Sequence, residues 1–159
     1  MYTRQSQTKM NAKVGLIVIS ILSLVNAVVG TAIAVKQNLP SVTPILTTGK
    51  PALEDFLTGN GTALSPPLYL CIITLLLIIL AFQPKWPGKI GVYGLTLLGA
   101  IFLLGEFVET NTYRALNPLT FNLPVALDVL TEIILALLMI TFGVITIIKD
   151  RQAHRQRWD

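Results

Sequence analysis

Residues 124–148 read PVALDVLTEIILALLMITFGVITII. Without Asp128 and Glu132 this stretch is an ordinary membrane-spanning helix, since about 20 consecutive apolar residues cross the hydrocarbon core. Carboxylates are among the most expensive side chains to place there. Two of them, one helical turn apart, therefore raise the question of what surrounds them.

The rest of the chain has the same character. Of its 159 residues 53% are apolar and 13% charged, against about 25% charged in soluble domains. Mean hydropathy is +0.68. The missing charge is localised: four apolar blocks hold almost none of it, and most charged residues lie between or beyond them. The expected fold is all-α, a polytopic integral membrane four-helix bundle forming one transmembrane domain over residues 1–159, with helices at about 14–36, 67–83, 89–109 and 124–149. An open strand in lipid would leave its backbone unpaired, and the alternation of a membrane barrel is absent.

A cleaved signal peptide is the competing reading of the first block, because basic residues precede it and Ala32-Ile33-Ala34 resembles a cleavage site. Its 22 uncharged residues, Val14 to Val35, exceed the roughly 7–15 of a signal h-region, which favours a retained helix.

Lysine and arginine set the expected orientation. Nine (Arg4, Lys9, Lys13, Lys85, Lys89, Lys149, Arg151, Arg155 and Arg157) fall on one side and three (Lys36, Lys50 and Arg114) on the other. Both termini are thereby expected in the cytoplasm, with an outer loop at 37–66 and a basic tail at 150–159. The net charge of +4 flanks apolar blocks and forms no patch on a soluble face, so nucleic-acid binding is not expected. The lipid bilayer is the expected partner, with a homo-oligomer or a larger membrane complex as further possibilities. A lone cysteine, Cys71, excludes an intrachain disulfide and a CxxC motif, and the one histidine, His154, excludes a bis-histidine haem. No cofactor is expected.

The outer loop contains KPALEDFLTG (residues 50–59), which reads as a short amphipathic helix. Pro51 suits its first turn and Gly59 its C-terminal end, with Ala52, Leu53, Phe56 and Leu57 sharing one side. Asn60-Gly61-Thr62 fits a glycosylation sequon, a short and common pattern.

Helices packing in lipid turn small residues toward one another. At about 100° per residue, Gly15, Ser23, Asn26, Ala27, Gly30 and Ala34 gather on one side of the first helix. Gly91, Leu95, Gly99, Phe102, Glu106 and Glu109 share a face of the third, and Asp128, Glu132, Ala136, Met139, Gly143 and Thr146 a face of the fourth. The second helix has no comparable stripe and is expected to be the most lipid-exposed. Asn26, near the middle of helix one, reads first as an interhelical hydrogen bond and second as part of a solute path.

The acids thus lie on the faces expected to be buried. The third helix runs outward and the fourth returns through the link TNTYRALNPLTFNL (residues 110–123). Four of the eight carboxylates, Glu106, Glu109, Asp128 and Glu132, should then converge near the outer leaflet, with Tyr113 and Arg114 close by. Glu109 and Asp128 can reach water or headgroups, whereas Glu132 lies about 12 Å along the axis from Pro124 at 1.5 Å per residue. Like charges crowded in a poor solvent must be relieved by shared protons, a bound cation or an ion pair to Arg114. A divalent metal is conceivable on oxygen ligands. The Glu-x-x-His pattern of a di-iron site is missing, and no histidine near the cluster could serve a nucleophile.

Two functional classes follow. The first is a non-catalytic accessory or assembly subunit of a membrane complex, favoured by the absence of any catalytic motif. The second is a proton- or cation-coupled transporter or channel subunit that works through the carboxylate cluster.

Overall fold

The structure, a computed structural model, describes residues 2–43 and 49–155. Residues 156–159 of the basic tail, with Arg157, lie outside them, as do the side chains of Arg4, Lys9, His154 and Arg155. Among the described residues every element is an α-helix: α1 Tyr2–Gln37, α2 Ala52–Thr58, α3 Leu68–Phe82, α4 Lys85–Val108, α5 Thr110–Leu116 and α6 Leu123–Arg155. Three stretches are long and apolar enough to cross a membrane: Ala12–Gln37, Lys85–Val108 and Leu123–Ala153. The remaining apolar helix, α3, has 15 residues.

Several boundaries differ from those expected. The first helix extends back to Tyr2, because residues 2–13 contain neither glycine nor proline and include good helix formers. The third begins at Lys85 rather than 89. Pro87 falls in its first turn, where a missing N–H leaves no hydrogen bond unmade. The fourth runs on to Arg155, so the first half of the tail is helical.

The apolar helices pack in a ring. α6 lies against both α1 and α4, α4 against α3, and α3 more lightly against α1. The α3–α4 hairpin is closely packed. A Cβ at Gly91 would stand 2.6 Å from the Ala81 Cα, so only a glycine permits this approach. At the centre Leu16, Leu95, Ala136 and Met139 are fully shielded, with Val92, Leu98 and Phe102 beside them. α3 turns Ile72, Ile73, Leu75, Leu76, Ile79 and Phe82 outward and buries only Thr74, Ile78 and Ala81. Contiguous exposed apolar surface of this kind suits lipid rather than water.

The ends of the ring differ. At one, the short α3–α4 turn is held by Lys13 Nζ, 3.4 Å from the Gln83 carbonyl, and by a 3.7 Å ion pair between Lys89 and Asp150. The other, the loop end, is covered by residues 38–43 and 49–67 and by α5.

α2 forms between Pro51 and Gly59 as expected, yet its buried residues are Ala52 and Asp55, while Leu53 and Leu57 are about half exposed. The reason is Asp55, which is wholly buried. It accepts from the backbone N–H of Asn60 at 3.0 Å and of Ser41 at 3.3 Å. These bonds hold Asp55 inward and leave Glu54 and the two leucines outside.

Candidate functional site: carboxylates beneath the loop end

The stripe foreseen on α6 is buried throughout: Asp128, Glu132, Ala136, Met139, Gly143 and Thr146 all face the ring. Glu132 meets α1. Ser23 Oγ donates to its Oε1 at 2.8 Å and Asn26 Nδ2 to its Oε2 at 3.2 Å. Ser23 and Asn26 stand three residues apart, so one face of α1 presents both donors to one carboxyl group. Asn26 also reaches the Asp128 backbone carbonyl at 3.4 Å. The asparagine therefore does make the interhelical bond expected of it, and it makes that bond to the acidic cluster. Ser23 was legible only as a small packing residue.

One turn nearer the loop end, Asp128 is 5% exposed, and neither carboxyl oxygen has a hydrogen-bond partner among the described residues. Buried polar groups are almost always satisfied, so an orphaned carboxyl calls for an explanation.

Glu106 and Glu109 come from the end of α4. Thr112 Oγ1 donates to Glu106 at 3.2 Å. Glu109 is occupied on every side: it accepts from Ser41 Oγ at 2.8 Å, from the Val42 N–H at 3.0 Å, and from both the backbone N–H and the side-chain amide of Asn111 at 3.3 Å. It is the N-cap of α5 and ties the start of the long loop to it. Burial pushes the Glu109 carboxyl above its ordinary value, against the opposing pull of those hydrogen bonds.

The link between α4 and α6 contains α5, which ends before Asn117-Pro118 because the residue preceding a proline disfavours helix. This helix directs Thr112 inward and turns Tyr113 and Arg114 out to solvent. Tyr113, 60% exposed, donates to the Phe107 carbonyl at 2.7 Å. Arg114 forms no ion pair with a carboxylate among the described residues. The structure thus brings Glu106, Glu109, Asp128, Glu132 and Asn26 together and leaves Tyr113 and Arg114 outside, so the arginine does not relieve the clustered charge.

A cavity of about 260 Å³ lies between the loop and the ends of α3 and α4, with Glu106, Glu109 and Glu132 on its wall. All the charged residues lining it are carboxylates, and Tyr69, Ile101 and Val108, each about half exposed, stand at its margin. A larger cavity of about 380 Å³ at the opposite end is lined by Lys13, Lys85, Lys89 and Asp150. Its basic residues suit anchoring at headgroups, and the apolar centre separates it from the acids. Among the described residues no group of three or more His, Cys, Asp or Glu side chains is arranged to hold a metal ion.

The roof of the carboxylate cavity is the turn 61–65, all five residues of which are buried. Gly61 adopts φ +101°, a conformation open to glycine. Thr62 N–H donates to the Ser65 carbonyl at 2.9 Å, the two hydroxyls meet at 2.9 Å, and Ser65 Oγ joins Thr31 Oγ1 of α1 at 2.8 Å. Ala63 and Leu64 pack with Ala34, Val125 and Val129. With Thr62 buried and Asn60 half-buried on the cavity wall, the Asn60-Gly61-Thr62 sequon is folded into the site.

Comparison of the chain with protein-family models, with curated proteins and with solved structures found no match.

Proposed function

We propose that this is a four-span membrane protein with both termini in the cytoplasm, that it binds a proton or cation in the outer carboxylate pocket, and that it serves as a proton- or cation-coupled transporter or channel subunit. The observation that carries the reading is the single cavity onto which Glu106, Glu109 and Glu132 all open. Three like charges in one poorly solvated space repel one another, and a proton or cation relieves that repulsion. Ionisable residues that face a cavity within a helical membrane protein are functional candidates by default.

The span count rests on α3. Its 15 residues make a helix about 22 Å long at 1.5 Å per residue, short of a hydrocarbon core of about 30 Å. Local thinning of the bilayer accommodates such a helix. Its antiparallel packing along α4 and its apolar outer surface favour a crossing. Were α3 not to cross, Lys85 and Lys89 would leave the basic side, against the positive-inside rule. With four spans, the loop end faces outward. The pocket margin at Tyr69, Ile101 and Val108 then lies at the level of the outer headgroups.

In proteoliposomes that enclose a pH-sensitive dye, the protein is expected to couple proton movement to a cation gradient, and Glu132→Gln to abolish it without loss of folded protein. A folded Glu132→Gln variant with undiminished coupling would defeat the proposal.

A second reading, the non-catalytic accessory or assembly subunit, is favoured by the packed centre of the ring, where Leu16, Leu95 and Met139 are fully buried. A pathway through that layer needs a partner chain or another conformation. On this reading Glu132→Gln changes only stability or co-purification of a larger complex.

A further inference from the structure

The orphaned carboxyl of Asp128 and the roof of the pocket meet at one point. A Cβ added to Gly30 of α1 would overlap the Leu64 carbonyl oxygen and stand 2.9 Å from Asp128 Oδ2. Gly30 lies seven residues inside the end of α1 at Gln37, so Leu64 reaches about 10 Å below that end at 1.5 Å per residue. Non-helical backbone at such depth is tolerated where protein buries it, and Leu64 is 2% exposed. Its carbonyl accepts no hydrogen bond from a described residue. Two buried acceptors therefore face the same small space with no donor between them. A single proton on the carboxyl supplies the missing donor.

We infer that Asp128 is a proton-operated latch: its protonated carboxyl donates to the Leu64 carbonyl and holds the turn 61–65 in place, and loss of that proton releases the turn and opens the carboxylate pocket beneath. This rests on the proposed reading of the pocket as a proton or cation site and adds the means by which access to it is controlled. An ionised Asp128 would face a carbonyl oxygen among Ala34, Ala63, Val125 and Val129, an arrangement that apolar surroundings penalise heavily. The titratable groups near it are Glu132 on its own helix and Glu106 on α4. From α1 the neutral Asn26 reaches its backbone carbonyl, and the turn itself contributes no charged residue.

The test uses the full chain in nanodiscs with Cys71→Ala, so that Ala63→Cys provides one buried reporter on the turn, labelled by a membrane-impermeant maleimide. Thiol reactivity itself rises with pH. Rates are therefore divided by those of a Leu119→Cys control, at a position 92% exposed in the same end of the protein. The normalised rate is expected to rise about tenfold per pH unit while the carboxyl is mostly protonated. It is expected to be flat with Asp128→Asn, whose amide donates at every pH. A flat profile in the Asp128 background overturns the latch, and so does a slope that survives Asp128→Asn. If the amide variant does not accumulate, Asp128→Ser, another donor that cannot ionise, decides between the same outcomes. Glu132→Gln in the reporter background separates the two proposals: the latch requires the labelling slope to persist there, whatever becomes of proton coupling.

Discussion

Glu109→Ala should loosen the loop end without disturbing the centre of the ring. The substitution removes the acceptor for the Val42 N–H, the Asn111 N–H, the Asn111 side-chain amide and the Ser41 hydroxyl. The hydroxyl can turn elsewhere, but the two backbone groups cannot. An unsatisfied buried donor costs about 1–3 kcal/mol, and because Val42 and Asn111 are only half-buried the lower part of that range applies to each. The junction should therefore lose about 2–3 kcal/mol, which multiplies its open population about 30- to 150-fold at about 1.4 kcal/mol per decade. Amide hydrogen exchange at Val42 and Asn111 should accelerate by that factor, while exchange at Leu95 and Met139 stays as it was. Glu109→Gln keeps one acceptor oxygen and should lie between. The wild type carries a pH signature as well. Because burial raises the Glu109 carboxyl in the folded state, the unfolded junction ionises first as pH rises. Its stability is full below the ordinary glutamate value of about 4.3 and declines between that value and the raised one. Unchanged exchange at Val42 in Glu109→Ala, or a junction that tightens as pH rises through this window, would refute the reasoning.

Two further outcomes separate residues that hold the site from those beside it. Asn26→Leu strips Glu132 of one of its two donors and should lower unfolding stability in detergent by about 1–3 kcal/mol; a variant as stable as the wild type would mean that this bond contributes nothing. Arg114→Ala removes an exposed side chain with no carboxylate partner among the described residues and should shift stability by no more than about 0.5 kcal/mol, leaving cation response intact. A loss of response would place the arginine in the site.

The buried faces were legible where one period governs them. Asp128, Glu132, Ala136 and Met139 recur at helical spacing among lipid-facing leucines and isoleucines, and the stripe they form is the face that packs. What escaped depends on contacts between residues distant in sequence. Asp55 looks like the solvated side of a short helix until Ser41 and Asn60 supply their N–H groups. Arg114 stands close to the acids in sequence, yet α5 rotates it away from them. The descent of Leu64 onto Gly30 could not be read from either segment alone, since nothing local to GTALS (residues 61–65) indicates depth. Helix ends were misplaced where polar helix formers continue a turn that hydropathy alone would stop, as at Tyr2 and Arg155.

Dicyclohexylcarbodiimide, an apolar reagent that enters from lipid and reacts with protonated carboxyl groups, addresses the pocket most directly. Applied to the protein in nanodiscs and mapped by peptide mass spectrometry, it is expected to modify Glu132 and Glu106, and increasing cation concentration is expected to suppress both adducts together. Adducts confined to the exposed Glu54 and the half-buried Asp150, or adducts in the pocket that no cation diminishes, would contradict the claim that acids from two helices share one cation-accepting space.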